Sequence, residues 1–313
     1  MDFLNLLSRM PAATAQGLLW GLMALGVYIS YKILDVADLS VDGTFALGGA
    51  VTVMAIIAGV PAWAALLLAI LAGIAAGLCT GLLHTKLGIP AILSGILTQF
   101  ALYSIDLRIM GMKANQTASL KNYGMFFENG RGFLVSSRYV NPAIAMGFAL
   151  SAAVVGVLYW YFGTEQGSAV RATGANPQMS SAQGININAM KVLGLALSNG
   201  IVALSGGLVT QFQGTADVNM GRGAIVIGLA AVIIGEVIFG KLFRNFALKL
   251  TAVVIGAVIY YIVLQMVLQL GLNTNDLKLI TALIVAVFLS VPHLREQRHR
   301  KFGKERETNA GAA

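Results

Sequence analysis

The chain has 313 residues, 57% hydrophobic and only 11% charged, against about 25% charged in soluble domains, so composition excludes a soluble fold. The net charge of +8 does not mark a nucleic-acid surface, because six Lys/Arg are gathered between Arg295 and Arg306, the pattern of a cytoplasmic positive anchor. The single cysteine, Cys79, lies in an apolar run and excludes an internal disulfide; it reads as a small packing residue.

Residues 1–15 ("MDFLNLLSRM…") predict a short N-terminal interfacial segment. One Arg and no long apolar core before Gln16 argue against a cleavable leader. Nine apolar segments follow, at 16–34, 43–59, 62–83, 90–107, 142–162, 189–211, 224–240, 246–270 and 278–291. They predict an all-α polytopic membrane protein with about nine spans (eight to ten). The membrane domain covers 16–294, with a first half at 16–107, an extracytoplasmic link at 108–141 and a second half at 189–292. The basic tail, 295–313, is expected in the cytoplasm. Alternation then places Lys86, Lys241, Arg244, Lys249 and the polar segment 163–188 inside and the N-terminus outside. The link falls outside although it carries Arg108, Lys113, Lys121, Arg131 and Arg138, which an outer docking partner would explain.

The first break, "LDVADLSVDGTF", holds Asp35, Asp38 and Asp42 between two apolar runs. A charge at the centre of a membrane helix costs roughly 2.5–3.5 kcal/mol. Asp35 is expected near the interface, and Asp42 is expected to cap the second segment. Asp38 has an echo. "ADLSVDGTFALGGAV" aligns with "ADVNMGRGAIVIGLA", setting Asp38 over Asp217 and Gly49 over Gly228. The offset of five spans predicts an inverted internal repeat, the arrangement that surrounds transport sites.

The residues that cannot face lipid are expected to line a translocation path: Asp38, Ser40, Asp42 and Thr44, then Thr98 and Gln99, then Asp217, Asn219 and Met220. Interhelical hydrogen bonding is the alternative for each, and the preferred one for Ser94 and Thr98. Asp38 is expected either to line the path or to pin the break. Glu236 is expected to pair locally with Lys241. No cluster suggests a catalytic or metal site, and no "GxxxxGK[ST]" phosphate loop occurs.

In the segment 163–188, "NPQMSSAQG" predicts a short surface helix, with Asn176 as N-cap, Pro177 at the first position and Gly184 at the end. It would present Gln178, Met179, Ser181 and Ala182 to a partner.

"VRATGANPQMSSAQGIN" resembles the "RAxGxNxxAAxxxGI" segment of permease subunits in ABC importers of the branched-chain amino acid/simple-sugar class. It matches at Arg171, Ala172, Gly174, Asn176, Ala182, Gly184 and Ile185. "DLSVDGTFALGGA" is similar to the "DLSVGS" stretch of ribose-type permeases, with Asp42 as an extra residue. "YKILDVADLSVDGTF", "GIPAILSGILTQFALYSIDLRIMG" and "VNMGRGAIVIGLAAVIIGEVIFGK" resemble the permeases found with tryptophan/tyrosine-type binding proteins.

The resemblance implies a non-catalytic subunit of a bacterial inner-membrane importer. Two copies would form the pore, and two ATPases would hold ATP-Mg. An extracytoplasmic binding protein would meet Arg108, Lys113, Lys121, Arg131 and Arg138. Arg171, Gly174, Asn176, Pro177, Gln178, Met179, Ser181 and Gly184 would form the coupling element. The cargo implied is an amino acid, aromatic ahead of branched-chain, with a sugar or nucleoside behind. Phe100, Tyr103, Tyr260 and Tyr261 do not decide it, since interfacial belts use the same residues. An ion-coupled secondary transporter and a membrane scaffold are the competing readings. The first lacks a use for the coupling element, the second for paired polar breaks.

Overall fold

The computed structural model describes residues 3–118, 124, 133–240, 242–243, 245–269, 279, 281–283, 285–287 and 290, with 3–9 and 269 as backbone alone. Lys121, Arg131, Lys241, Arg244 and the tail 295–313 lie outside the described residues, as does about half of the ninth apolar segment.

Helix α1 (Phe3–Tyr28) runs directly into a π-helical turn, Ile29–Ile33. The interfacial segment expected at 1–15 is therefore not a separate helix. Pro11 sits inside α1 without ending it; it removes one backbone bond but keeps a helical φ. Next come α2 (Val41–Ile57), α3 (Ala62–Thr85), α4 (Ala91–Ile109), strand β1 (Asn115–Thr117) and α5 (Val140–Gly163). Two short helices follow, α6 (Glu165–Ala175) and α7 (Pro177–Ala182), then α8 (Ile187–Gln213), strand β2 (Thr215–Asp217), α9 (Ala224–Phe239) and α10 (Phe246–Gln269).

Eight of the nine expected segments fall on these helices, but they are not equivalent. Among the described residues, six helices are long and apolar enough to cross a membrane: Met10–Ile33, Ala62–Thr85, Ala91–Ile109, Val140–Gly163, Ile187–Gln213 and Phe246–Leu268. Helices α2 and α9 have 17 and 16 residues, about 25 Å of rise against a hydrocarbon core of about 30 Å. The all-α expectation holds, with one short ribbon added to the helices. Strands β1 and β2 pair antiparallel, Asn115 opposite Asp217 and Thr117 opposite Thr215. That ribbon ties the link 108–141 to the second break.

Helices α1 and α8 form the centre. Their apolar windows are each 83% buried, against 22% for α5 and 28% for α4. Lipid supplies little hydrophobic drive between helices, so close approach and interhelical hydrogen bonds hold such a bundle. The Ser198 hydroxyl donates to the Gly26 carbonyl and the Ser205 hydroxyl to the Leu19 carbonyl, both at 2.7 Å. At the α2–α8 contact, a methyl group on Gly48 would run into the Ala203 carbonyl, and one on Gly206 into the Phe45 carbonyl.

The two ends of the bundle differ. At one, the Phe162 and Phe246 rings meet edge to face at 5.4 Å, Arg171 lies 5.5 Å over Phe246, and Gly174 packs on the Ile33 carbonyl. At the other, beside the ribbon, the Leu134 N–H donates to Gln211 Oε1 at 3.0 Å and the Ser137 N–H to the Phe212 carbonyl.

Candidate functional site

The first break starts where the π-turn ends. Leu34 packs on Gly194 near the start of α8, while Asp38 reaches Asn199, midway along it. Helix α2 thus begins inside the bundle. Asp38 is 2% exposed and fully engaged. Its Oδ1 accepts from the Ser40 N–H at 2.9 Å and the Ser40 hydroxyl at 2.6 Å, and its Oδ2 accepts from Asn199 Nδ2 at 2.7 Å. Asn199 Oδ1, 3.2 Å from Ser40 Oγ, is the alternative acceptor for that one hydroxyl proton. A buried charge is tolerated when its oxygens are saturated in this way. Of the two roles expected for Asp38, this geometry is that of a pin, and Ser40 is engaged in the same buried network. Thr44 is likewise buried and bonds back to the Ser40 carbonyl. Asp35 is exposed at φ 55°, in the left-handed region that Asp tolerates better than most residues.

Asp42 does not cap α2, as expected, but a helix far along the chain. Its Oδ2 accepts from the Gly223 N–H and its Oδ1 from the Ile225 N–H, both at 2.9 Å. Those donors belong to the N-terminal turn of α9, whose free N–H groups and positive dipole end favour a carboxylate. Gly221 packs on the Asp42 carbonyl, and Gly223 takes φ 86° to turn the chain into the helix. Helices α2 and α9 therefore start side by side within the bundle and leave toward opposite ends. The end of α2 joins the cluster of Ile56, Met110, Ala118 and Ala216 beside the ribbon. The end of α9 carries Glu236, ion-paired with Lys32 at 3.1 Å. The local partner expected for Glu236, Lys241, lies outside the described residues.

Beside this meeting point lies a cavity of about 450 Å³, walled by Asp42, Gly43, Gln99, Phe100, Tyr103, Asp106, Val218 and Arg222. It holds two of the expected path residues, Asp42 and Gln99. The others sit elsewhere. Thr98 is buried, donates to the Ser94 carbonyl at 3.0 Å and receives the Thr80 hydroxyl at 2.9 Å. Ser94 bonds to the Ala91 carbonyl. These are contacts within and between helices, the preferred alternative. Asp217 is half-buried at the ribbon and accepts from the Asn219 N–H at 2.6 Å. Asn219 is exposed, and Met220 packs on Gly49 and Thr210. Asp38 and Asp217 share one local device, a carboxylate on the N–H two residues ahead, but not a common depth.

Two charged wall residues, Asp106 and Arg222, escape the sequence reading. Asp106 stands near the end of an apolar run, where a carboxylate passes for interfacial, and Arg222 sits among the glycines of the second break. The available signal was charge inside otherwise apolar sequence. Asn199, the partner of Asp38, has only the weak signal of a lone amide in "LALSNGIVALSGG".

The expected surface helix is α7. Asn176 caps it by accepting the Met179 N–H at 3.0 Å, Pro177 occupies the first turn, and Gly184 is left-handed at φ 82°. Gln178, Met179, Ser181 and Ala182 are exposed, Met179 by 60%. Arg171 and Gly174 belong instead to α6, a helix not anticipated, capped by Thr164. Arg171 is exposed and lies over the Phe246 ring, and the half-buried Gly174 packs on the Ile33 carbonyl. In the link 108–141, Arg108, Lys113 and Arg138 are exposed.

Residues 10–290 match the family model described as "Branched-chain amino acid transport system / permease component". The chain is 40% identical over 289 residues to the tyrosine transport system permease protein of Clostridioides difficile (strain R20291), covering 92% of each. It is 36% identical over 280 residues to an uncharacterized protein of Rickettsia prowazekii (strain Madrid E), covering 89% of this chain and 95% of the relative. No solved structure matches it significantly.

Proposed function

Because the chain belongs to the branched-chain amino acid transport permease family, we propose that it is the membrane subunit of an ATP-driven ABC importer of an amino acid, aromatic ahead of branched-chain. Two copies form the pore in the bacterial inner membrane, with the C-terminus in the cytoplasm. Two ATPase subunits bind ATP-Mg beneath them, and an extracytoplasmic binding protein delivers the cargo. The observation that carries this reading is the pair of short helices starting face to face inside the bundle beside a polar cavity, in a chain 40% identical to a tyrosine permease. Non-helical backbone at membrane depth is tolerated where protein or a cavity surrounds it, and helix starts of this kind mark transport sites.

In this reading α7 is the coupling helix, offering Gln178, Met179 and Ser181 to a groove on the ATPase. Arg171 and Gly174 hold α6 against α10 and the π-turn, so that motion of α7 passes into α1 and α10 as rigid-body rotation. Nucleotide shifts the equilibrium only by its differential affinity for the two states. Arg108, Lys113, Lys121, Arg131 and Arg138 steer the binding protein, as rim charges do. The test is assembly. Purified in nanodiscs with a candidate ABC ATPase from the same genome, the chain is expected to form a complex of two permeases and two ATPases, with hydrolysis stimulated by the liganded binding protein. A chain that binds no ATPase would overturn the proposal.

A further inference from the structure

We propose that the cavity between the start of α2, helix α4 and the second break is a transient site for a zwitterion, with Asp106 receiving the α-ammonium and Arg222 the α-carboxylate of the passing amino acid. This rests on the amino acid permease reading above and assigns its chemistry to residues.

Asp106 is fully buried, and among the described residues neither carboxylate oxygen has a hydrogen-bond partner. A carboxylate in that condition is strongly uncompensated, unlike Asp38, whose oxygens accept three donors. Arg222 lies on the same cavity wall, exposed and, among the described residues, with no side-chain partner. Its backbone is held in place, because Gly221 packs on the Asp42 carbonyl and the Gly223 N–H donates to the Asp42 carboxylate. The two opposite charges do not pair with each other. Among the described residues the one ion pair is Lys32–Glu236.

Asp42, the other wall carboxylate, is already spent on the α9 N–H groups. What remains is one free negative and one free positive group across a single space. A cation alone would satisfy Asp106 and be repelled by Arg222, an anion alone the reverse, and a sugar would match neither. A molecule with both charges answers both. Phe100 and Tyr103 on the same wall offer faces for an aromatic side chain. The volume, about 450 Å³, is in the range of small-molecule sites. With one charged contact at each end, such a site holds cargo weakly enough to release it.

The test uses the permease–ATPase complex in nanodiscs and saturation-transfer NMR with L-tyrosine, tyramine, which lacks the carboxylate, and 3-(4-hydroxyphenyl)propionate, which lacks the ammonium. Size-exclusion profile and thermal unfolding establish that Asp106→Asn and Arg222→Gln are folded. Tyrosine is expected to give a clear signal that falls by about 10-fold or more in each variant and recovers in part in Arg222→Lys. Residual binding of tyramine should ignore Arg222→Gln, and that of the propionate should ignore Asp106→Asn. No tyrosine signal, a signal untouched by both variants, or equal signals from all three compounds would overturn the site. ATP-driven tyrosine uptake that survives both variants would overturn the site and leave the importer reading standing. A wild-type complex that takes up no amino acid would overturn that reading instead.

Discussion

Replacing Asp38 by Ala probes what lets α2 start inside the bundle. The substitution removes the acceptor of three donors: the Ser40 N–H, the Ser40 hydroxyl and Asn199 Nδ2. The losses are unequal. The Ser40 hydroxyl keeps Asn199 Oδ1 at 3.2 Å, and Asn199 Nδ2 keeps the Leu195 carbonyl at 3.0 Å. The Ser40 N–H is left orphaned and buried, at about 1–3 kcal/mol. The link to Asn199 is interhelical, a class measured in membranes at about 0.6 kcal/mol on average and up to about 1.7. The sum is a destabilisation of about 2–5 kcal/mol. Asp38→Asn keeps an acceptor oxygen and the side-chain shape, and should cost about half as much. Unfolding free energies from steric trapping in bicelles read both values. Uptake by the folded fraction should keep its wild-type dependence on tyrosine concentration if the Asp38 oxygens serve only the network with Ser40 and Asn199. Wild-type stability of Asp38→Ala would refute the pinning role. A changed concentration dependence would return Asp38 to the path.

Asp42→Ala strips the cap from α9 and should cost about 1–2 kcal/mol, read as faster amide hydrogen exchange confined to Gly223–Ile225; unchanged exchange there would show that the cap is idle. Met179→Glu should leave thermal unfolding at the wild-type temperature and abolish stimulation of the ATPase, since the side chain is exposed and touches only the proposed partner. Arg171→Ala should instead destabilise by up to about 1 kcal/mol through the lost contact with Phe246, visible in the same unfolding scan. Gly48→Val should prevent accumulation of folded protein, because its side chain would occupy the space of the Ala203 carbonyl; normal yield would refute the close α2–α8 packing. Lys32→Ala, which breaks a surface pair, should change stability by no more than about 1 kcal/mol.

Much of this architecture is legible in sequence because its signals are local. The helix at Pro177–Ala182 announces itself through Asn176, Pro177 and Gly184, three residues whose backbone preferences act within one turn. Helix positions follow from apolar runs. What does not follow is depth. The sequence around 43–59 and 224–240 reads as spans, yet both helices begin within the bundle, because the polar residues before them are answered by groups far along the chain. Asp38 binds Asn199, 161 residues away, and Asp42 caps a helix 181 residues away. Capping rules look at the adjacent helix, so sequence alone points Asp42 to α2. For Glu236 the same local logic points to Lys241, which lies outside the described residues, while its described partner is Lys32. Asp106 went unnoticed for the opposite reason. Among the described residues it has no partner, so there is no pairing pattern to read.

The most direct measurement is uptake of radiolabelled L-tyrosine into proteoliposomes holding the chain, its ATPase and the binding protein, with no ion gradient. Accumulation is expected with ATP on the ATPase side, and none with ADP or without the binding protein. Accumulation that ignores ATP and follows an imposed sodium or proton gradient would contradict the ABC importer account.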